Sequence, residues 1–403
     1  MLPNNSNTLK IILWALIIIF AFSLGFISGD LLGSPQALSS SLPKLRGLNE
    51  KQLLSLNQVW AVIHDQFIDQ PVDDEALMQG AFRGMLESLG DPYSAYMSPE
   101  EFRAQNAPII GEYSGIGAYV DTSGDFLVIM APMPDSPAEM AGLKPGDKVV
   151  AIDGEDMTQL VPAEVLEHIY GPAGTKIILS IQRDGIEEIL QFELVRAVIP
   201  IPSVESEMLE GQIGVIRLYT FGENSASEFK HALTNLLDQK AKGLILDLRN
   251  NTGGLVDSAI EITSFFISDE VVMVEEWADG TQNKYQATGN SINTEIPLVV
   301  LVNEGTASAS EITAGALQDL KRAKLVGSQT FGKGFIQNWV PLRFNNGGLR
   351  ITTARWLTPN GRQIQESGLI PDIQIQITDE DIRNKFDAQM NQALELLIQP
   401  KNQ

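Results

Sequence analysis

Two loops rich in glycine and hydroxyl side chains contain the residues best suited to chemistry. The first, Arg249-Asn250-Asn251-Thr252-Gly253-Gly254, follows an apolar run at 244–248, and the second, residues 303–311, follows an apolar run at 298–302. A helix-like stretch comes after each loop, so each loop is predicted to join a buried strand to a helix. Main-chain N–H groups at such helix starts can stabilise an oxyanion. Because both loops follow strands, we expect them at the same edge of a sheet.

The second loop contains Ser308, a candidate nucleophile. Glu311 lies three residues later, which matches a helix capping box, so a purely structural role for Ser308 as a cap is the alternative. A nucleophilic serine also needs a base, and His64, His168 and His231 all lie away from the predicted strand ends. A Ser-His-Asp arrangement is therefore poorly supported.

Lysine can replace histidine as the base if burial lowers its pKa enough to leave it neutral near pH 7. Lys333 lies between two glycines in the otherwise uncharged stretch 330–335, which follows a predicted strand and offers no adjacent carboxylate. Most lysines are simply solvated, and that interpretation stays open for Lys333. Gln337, four residues later, could orient the amine by a hydrogen bond.

Composition excludes several other classes of site. The 403 residues have a formal charge of −23 and include no cysteine, which excludes disulfides, thiolate-bound metals and a cysteine nucleophile. The three histidines are far apart and show no two-ligand spacing, so a catalytic zinc is not expected. A chain this acidic also lacks the basic face that nucleic acid needs. We therefore expect no metal, no cofactor and no nucleic-acid partner.

The N-terminal region contains 19 uncharged residues at 11–29, about the length needed to span a bilayer as a helix. A buried core helix and a cleaved signal peptide, with a weak site at Ala37-Leu38-Ser39, are the alternatives. We favour an uncleaved anchor. Lys10 and the amino terminus would then lie in the cytoplasm, and the rest of the chain would be extracytoplasmic, in the periplasm or at the cell surface.

The remaining chain divides into regions of different patterning. Helical periodicity comes first, short β-type runs with one helix at 162–170 follow, and strands then alternate with helices, as expected for a mostly parallel sheet. An amphipathic pattern at 381–397 predicts one final helix. The predicted regions are a membrane segment at 1–33, a linker at 34–44, a helical region at 45–107, a β-rich domain at 108–197, an αβ core at 198–378 and a C-terminal helix at 379–403.

The β-rich region has a glycine-rich turn of its own, Gly115-Ile116-Gly117-Ala118, just before a predicted strand. Successive amides in such a turn can bind the C-terminal carboxylate of a peptide that adds to the sheet as an extra strand. A Gly-x-Gly triplet is most often only a turn, so both interpretations remain.

Taken together, these segments resemble the carboxyl-terminal processing proteases, or tail-specific proteases, a family of PDZ-containing serine peptidases. The resemblance extends from about residue 45 to residue 378. The motifs that support it are Leu89-Gly90-Asp91-Pro92-Tyr93-Ser94, Ala141-Gly142-Leu143-Lys144-Pro145-Gly146-Asp147, Leu246-Asp247-Leu248-Arg249-Asn250-Asn251, Gly305-Thr306-Ala307-Ser308-Ala309-Ser310-Glu311, Phe331-Gly332-Lys333-Gly334 and Thr358-Pro359-Asn360-Gly361-Arg362.

The resemblance implies an α+β multidomain protein whose catalytic core is similar to the crotonase and Clp-protease sheet, with an inserted PDZ domain. It implies that Ser308 is the nucleophile and Lys333 the general base of a Ser-Lys peptidase. Gln337 would hold the lysine. The amides of Gly253 or Gly254 and of Ala309 would form the oxyanion hole.

In the PDZ domain, the resemblance implies that the turn 115–118 receives the substrate's C-terminal carboxylate and gates the active site. Val165 and Ile169 would line the pocket for the terminal side chain. Two positions depart from the family pattern: Thr252 replaces a usual proline or glycine, and Tyr170 stands where many members have arginine. Gating would then use another residue or be weaker.

The expected function is that of an anchored, extracytoplasmic endopeptidase that cuts proteins or peptides near accessible C-termini. The helical N- and C-terminal regions could mediate a homodimer, as relatives suggest. Two rivals are a catalytically dead PDZ adaptor, which the intact Ser308, Lys333 and Gln337 disfavour, and an acyl-CoA enzyme of the crotonase fold, which would have no use for a PDZ domain.

Overall fold

The computed structural model describes residues 49–398, and the expected membrane segment and linker lie outside them. No helix within 49–398 is both long and apolar enough to cross a membrane. The chain forms two compact units that join in sequence between Ala76 and Leu77.

The first unit contains helix α1 (Glu50–Gln66), which is capped by Asn49 in a capping box with Gln52. Helix α2 (Asp74–Glu87) begins at its end and continues into the second unit. His64 of α1 contacts Asp74 at 2.6 Å, so this histidine has a local structural partner.

The second unit contains all the strands and the other helices. In chain order its elements are β1 (Ala95–Met97), α3 (Pro99–Ile110), β2 (Glu112–Gly115), β3 (Ala118–Asp121), β4 (Leu127–Pro132), α4 (Pro137–Ala141), β5 (Lys148–Ile152), β6 (Glu155–Asp156), α5 (Pro162–Ile169), β7 (Lys176–Gln182), β8 (Leu190–Val195), β9 (Ala197–Pro200), β10 (Val204–Leu209), β11 (Ile213–Leu218), α6 (Ser225–Asp238), β12 (Gly243–Asp247), α7 (Val256–Ser264), β13 (Val271–Glu276), β14 (Gln282–Gln286), β15 (Leu298–Val302), α8 (Ala309–Asp319), β16 (Lys324–Gly327), β17 (Phe335–Pro341), β18 (Gly348–Leu357), β19 (Ile373–Gln374), α9 (Asp379–Asn384) and α10 (Ala388–Ile398).

The central sheet has the order β10-β11-β12-β15-β16-β19, and all its pairs are parallel except β10 with β11. Its central strands β12 and β15 are buried along their whole length and read as nearly continuous apolar runs, because both faces of the sheet are covered there. Leu246 and Val300 face the core shared with α6, α7 and α8. Ile245 and Val299, one residue away, face α10. The predicted alternation of strands and helices is therefore present.

A second, antiparallel sheet has the order β1-β18-β13-β14, with β17 also paired to β18. The sequence analysis did not predict this sheet. Strand β1 joins this sheet by pairing with β18, which is distant in sequence: Tyr96 lies opposite Leu349. The sheet thereby brings the segment after α2 beside the β17–β18 hairpin.

The β-rich region forms a separate inserted domain. Its sheet has the order β3-β4-β5-β7-β8, and α5 packs on it over a core that includes Ile129, Ile177 and Leu179. The buried Asp147 is held by two hydrogen bonds from Arg183, at 2.6 and 2.8 Å. The chain enters and leaves this domain through paired strands β2 and β9, which we call the neck.

The single final helix predicted at 381–397 is wrong, because the chain forms α9 and α10 with a break between them. Lys385 has a φ of 53°, in the left-handed region, and ends α9. The side chain of Asp387 then accepts the N–H of Met390 at 2.9 Å, as a helix cap does, and pairs with Arg249 at 2.9 Å. The amphipathic pattern continues across the break, so the sequence pattern did not reveal that the helix is interrupted.

Candidate active site

Ser308 lies in a strained turn between β15 and α8. Its φ of 56° and ψ of −119° are rare for a residue with a Cβ atom, and such backbone conformations cost about 1 to 3 kcal/mol. The hydroxyl makes no capping hydrogen bond to the helix, while the main-chain N–H of Ser308 donates to Glu311 Oε2 at 2.9 Å. The strained turn therefore leaves the hydroxyl available for other interactions.

The glycine-pair loop contacts the Ser308 turn, as the sequence predicted. A Cβ atom on Gly253, whose φ is 105°, would lie 2.8 Å from Ser308 Cβ, so only glycine fits there. The buried Asn251 fixes the loop: its Nδ2 donates to the Leu218 carbonyl at 2.7 Å, and its own carbonyl accepts the N–H of Ala307 at 3.0 Å. The sequence analysis did not identify this role of Asn251.

The expected oxyanion donors are not all free. The N–H of Gly253 donates to Asn251 Oδ1 at 2.9 Å. Within residues 49–398, the N–H groups of Gly254 and Ala309 have no hydrogen-bond acceptor. Gly254, with a φ of 143°, is pressed against the Phe221 carbonyl, 2.3 Å from where a Cβ would lie. Of the expected donors, Gly254 and Ala309 are therefore the ones whose N–H groups are not already used within the described residues.

Lys333 lies in the loop between β16 and β17. Its carbonyl accepts a hydrogen bond from Trp356 Nε1 at 2.9 Å, and its ammonium lies 5.7 Å from the centre of the Tyr93 ring. Burial, which is the largest cause, and the positive charge of Arg350 together lower the pKa of Lys333 to about 8, against the opposing effects of Glu311 and Asp91. A neutral amine is therefore accessible near physiological pH.

Glu311 links the serine turn to the lysine loop. Its carboxylate is fully buried and accepts four hydrogen bonds: from Ser308 N–H and Lys333 N–H at 2.9 Å, from Gly332 N–H at 2.8 Å and from the Thr330 hydroxyl at 2.5 Å. Burial raises the pKa of Glu311, and these hydrogen bonds counteract the rise. The sequence indicated only its capping relation to Ser308, so its contact with the Lys333 loop was missed.

One cavity of about 820 Å³ brings together most of the predicted catalytic residues. Ser308, Lys333, Gln337 and the glycine pair 253–254 all line it, and helix α3 lines its other side. No histidine among the described residues does so. The Gln337 side chain donates to the Phe335 carbonyl at 3.4 Å and not to Lys333. Ala309, the residue after Ser308, is fully buried and does not line the cavity.

The predicted peptide-binding residues lie in the inserted domain and do not line this cavity. In the turn 115–118, the carbonyl groups of Ile116 and Gly117 accept main-chain N–H groups at 2.8 and 2.9 Å, so both carbonyls are already engaged. Strand β3, which begins at Ala118, is an edge strand of its sheet. Val165 and Ile169 are each 2% exposed and pack in the domain core. The structure therefore does not place these two side chains on an open pocket.

Tyr170, at the end of α5, contacts the neck. Its ring meets the edge of Tyr113 in β2, with centroids 5.6 Å apart. Arg196, which lies between β8 and β9, donates to the carbonyls of His168 and Ile169 at 2.9 and 2.7 Å. A guanidinium is thus present at the C-terminal end of α5, although it comes from another part of the chain.

Sequence comparisons agree with this architecture. Peptidase family S41 matches residues 212–375, a PDZ domain matches 128–183, and the activating protease CtpB N-terminal domain matches 33–101. The chain is 36% identical to a carboxy-terminal-processing protease of Bartonella bacilliformis, over 89% of this chain and 82% of that protein. It is 38% identical to a carboxyl-terminal-processing protease of Synechocystis, over 85% of this chain and 82% of that protein.

A solved structure of a putative S41 protease from Bacteroides fragilis has the same fold, with a TM-score of 0.50 at 15% identity, covering 84% of this chain and 96% of that one. Fold, site and inserted PDZ domain together define a serine protease. The chain belongs to the carboxyl-terminal processing proteases of peptidase family S41.

Replacement of Glu311 by glutamine should disrupt the active site, because an amide NH₂ would face two N–H or O–H donors. We expect the free energy of unfolding to fall by about 2 to 3 kcal/mol and protease activity to fall at least about tenfold. Urea unfolding and a protease assay measure the two effects. Glu304→Gln is the matched control, since that residue is exposed and its carboxylate accepts a hydrogen bond from the Ser328 hydroxyl. Equal stability of the two variants would contradict the role given to Glu311.

Proposed function

We propose that this protein is an endopeptidase that cleaves proteins near their C-termini through a Ser308–Lys333 dyad. The observation that supports the proposal most directly is the shared cavity, which is lined by the serine, a lysine of lowered pKa and Gly254. No metal or cofactor takes part in such a mechanism.

The chemistry would proceed through an acyl-enzyme. Neutral Lys333 takes the proton of the Ser308 hydroxyl as its oxygen attacks the scissile carbonyl carbon. The N–H groups of Gly254 and Ala309 then stabilise the oxyanion, a contribution of about 3 kcal/mol per donor in well-studied proteases. The lysine ammonium returns its proton to the leaving amine as the C–N bond breaks. Water, deprotonated by the same lysine, hydrolyses the ester and frees Ser308.

The described conformation fits a resting state of this dyad. Lys333 Nζ makes no hydrogen bond to Ser308 within residues 49–398, and Gln337 does not hold the amine. The proposal requires the lysine side chain to move until its amine reaches the Ser308 hydroxyl. In this proposal Gln337 accepts an N–H of the amine only after that movement.

Substrate binding at the PDZ domain would provide the gate. A C-terminal peptide would add along the free edge of β3, with its carboxylate at the amides of the turn 115–118. The Tyr170–Tyr113 contact and the Arg196 hydrogen bonds connect α5 to the neck, so they offer a route from peptide to core. Val165 and Ile169 would have to shift to admit a terminal side chain.

The dyad is tested with the full-length protein and an unfolded substrate that ends in apolar residues. Ser308→Ala and Lys333→Ala should each abolish cleavage, whereas Lys324→Ala, at an exposed position of β16, should not. Because the neutral amine is the base and its pKa is about 8, activity should rise with pH through 8 and fall about fivefold from pH 8 to pH 7.

The Ser308→Ala protein should remain folded, because the hydroxyl makes no capping hydrogen bond and the main-chain N–H that donates to Glu311 is kept. Undiminished cleavage by Lys333→Ala would rule out the dyad.

The PDZ role predicts that an amidated substrate is cut more slowly than the same substrate with a free C-terminal carboxylate. The reason is that amidation removes the charge that the turn 115–118 would bind. Initial rates for the matched pair, measured below saturation, provide the comparison. Equal rates would refute carboxylate recognition.

We also propose that residues 11–29 anchor the protein, with the protease domains outside the cytoplasm and the terminal helical regions forming a homodimer. The uncharged run and Lys10 support this orientation. A C-terminal tag should then be degraded by protease added to intact spheroplasts, and protection of the tag would contradict the orientation.

A further inference from the structure

Tyr93 comes from a distant part of the chain and is fixed beside the candidate base. Its N–H donates to Asp91 Oδ1 at 3.0 Å, and its carbonyl accepts Arg350 Nε at 2.9 Å. Its hydroxyl accepts Gln365 Nε2 at 3.2 Å, and its ring packs against Phe335 with centroids 5.9 Å apart. Contacts on the main chain, the hydroxyl and the ring therefore define the position of this side chain.

The ammonium of Lys333 lies over this ring. It lies 5.7 Å from the ring centre, and within residues 49–398 it has neither a hydrogen bond nor an ion pair. A cation within about 6 Å of a tyrosine face is attracted by the ring's quadrupole, more strongly when water is excluded. The aromatic face is thus the direct contact that stabilises the charged lysine in this conformation.

We infer that Tyr93 is a positioning residue for Lys333: its ring holds the ammonium at the cavity wall and favours its protonated form between reaction steps. The inference rests on the proposed function of Lys333 as the base. It makes the turn after α2 part of the catalytic apparatus, because that turn would determine the position of the lysine amine between reaction steps and how readily the amine loses its proton.

Other charges act on the same lysine and must be kept constant in a test. Arg350 on β18 disfavours the charged amine, whereas Glu311 on α8 and Asp91 in the Tyr93 turn favour it. Arg350 and Asp91 contact only main-chain atoms of Tyr93, so a change of the Tyr93 side chain leaves both bonds possible. Gln365 also bonds the N–H of Gly334 at 2.9 Å and can stay in place without the phenol.

The test compares Tyr93→Phe with Tyr93→Leu. Leucine keeps apolar cover over the lysine but removes the aromatic face, and phenylalanine keeps the face. For Tyr93→Leu we expect the midpoint of the kcat/KM pH profile to move down by about half to one pH unit, with a plateau at least about fivefold lower. Tyr93→Phe should keep the wild-type midpoint. Phe344→Leu, at a fully exposed hairpin tip, is the control for loss of an aromatic ring.

A second readout separates this inference from the proposed function. A fluorophosphonate labels an activated serine without a peptide substrate, so its rate against pH reports the base alone. Absence of labelling in the wild-type protein would refute the proposed dyad itself. Labelling with the same midpoint in the wild-type and Tyr93→Leu proteins would overturn only the inference, even if the plateau fell. Equal shifts in Tyr93→Leu and Tyr93→Phe would also overturn it, because the phenol and not the ring would then be responsible.

Discussion

The active site depends on one buried carboxylate. Glu311 accepts hydrogen bonds from the main chain on both sides of the cavity, at Ser308 and at Lys333, as well as from Gly332 and Thr330. A carboxylate out of water is tolerated only while such donors surround it. If either loop moved away, the Glu311 carboxylate would lose hydrogen bonds. The distance between the two loops is therefore set by the need to keep this one buried side chain fully hydrogen-bonded.

Around this centre, the cavity is built from elements that are far apart in sequence. The parallel sheet supplies the Ser308 turn and the glycine pair, because the carboxyl ends of β12 and β15 are neighbours. The antiparallel sheet supplies the lysine side, through Trp356 and the β17–β18 hairpin. One sheet therefore carries the Ser308 hydroxyl and the N–H groups of Gly254 and Ala309, and the other forms the surroundings of the Lys333 amine.

The sequence could predict features that depend on local interactions, but not those that depend on contacts between distant residues. The apolar strands and the loops after them were predictable, since burial on both faces leaves a local pattern, and the contact of Gly253 with Ser308 followed from parallel pairing. The roles of Tyr93 and Asn251 could not be predicted, because they depend on non-local contacts that no periodicity reveals. Glu311 lies between these cases: its spacing from Ser308 is visible in the sequence, but its bonds to the lysine loop are not.

The neck has a consequence for the modularity of the protein. Glu112 lies opposite Pro200 and Gly115 opposite Ala197, so the two connections to the PDZ domain leave the core side by side as one ribbon. In the topology of the core, the PDZ domain takes the place of the loop that joins two strands of a hairpin. Lengthening such a loop adds little to the free energy needed to close it. A different domain, or a tight turn, could close the same ribbon without straining the core fold, so the inserted domain can change independently of the rest of the chain.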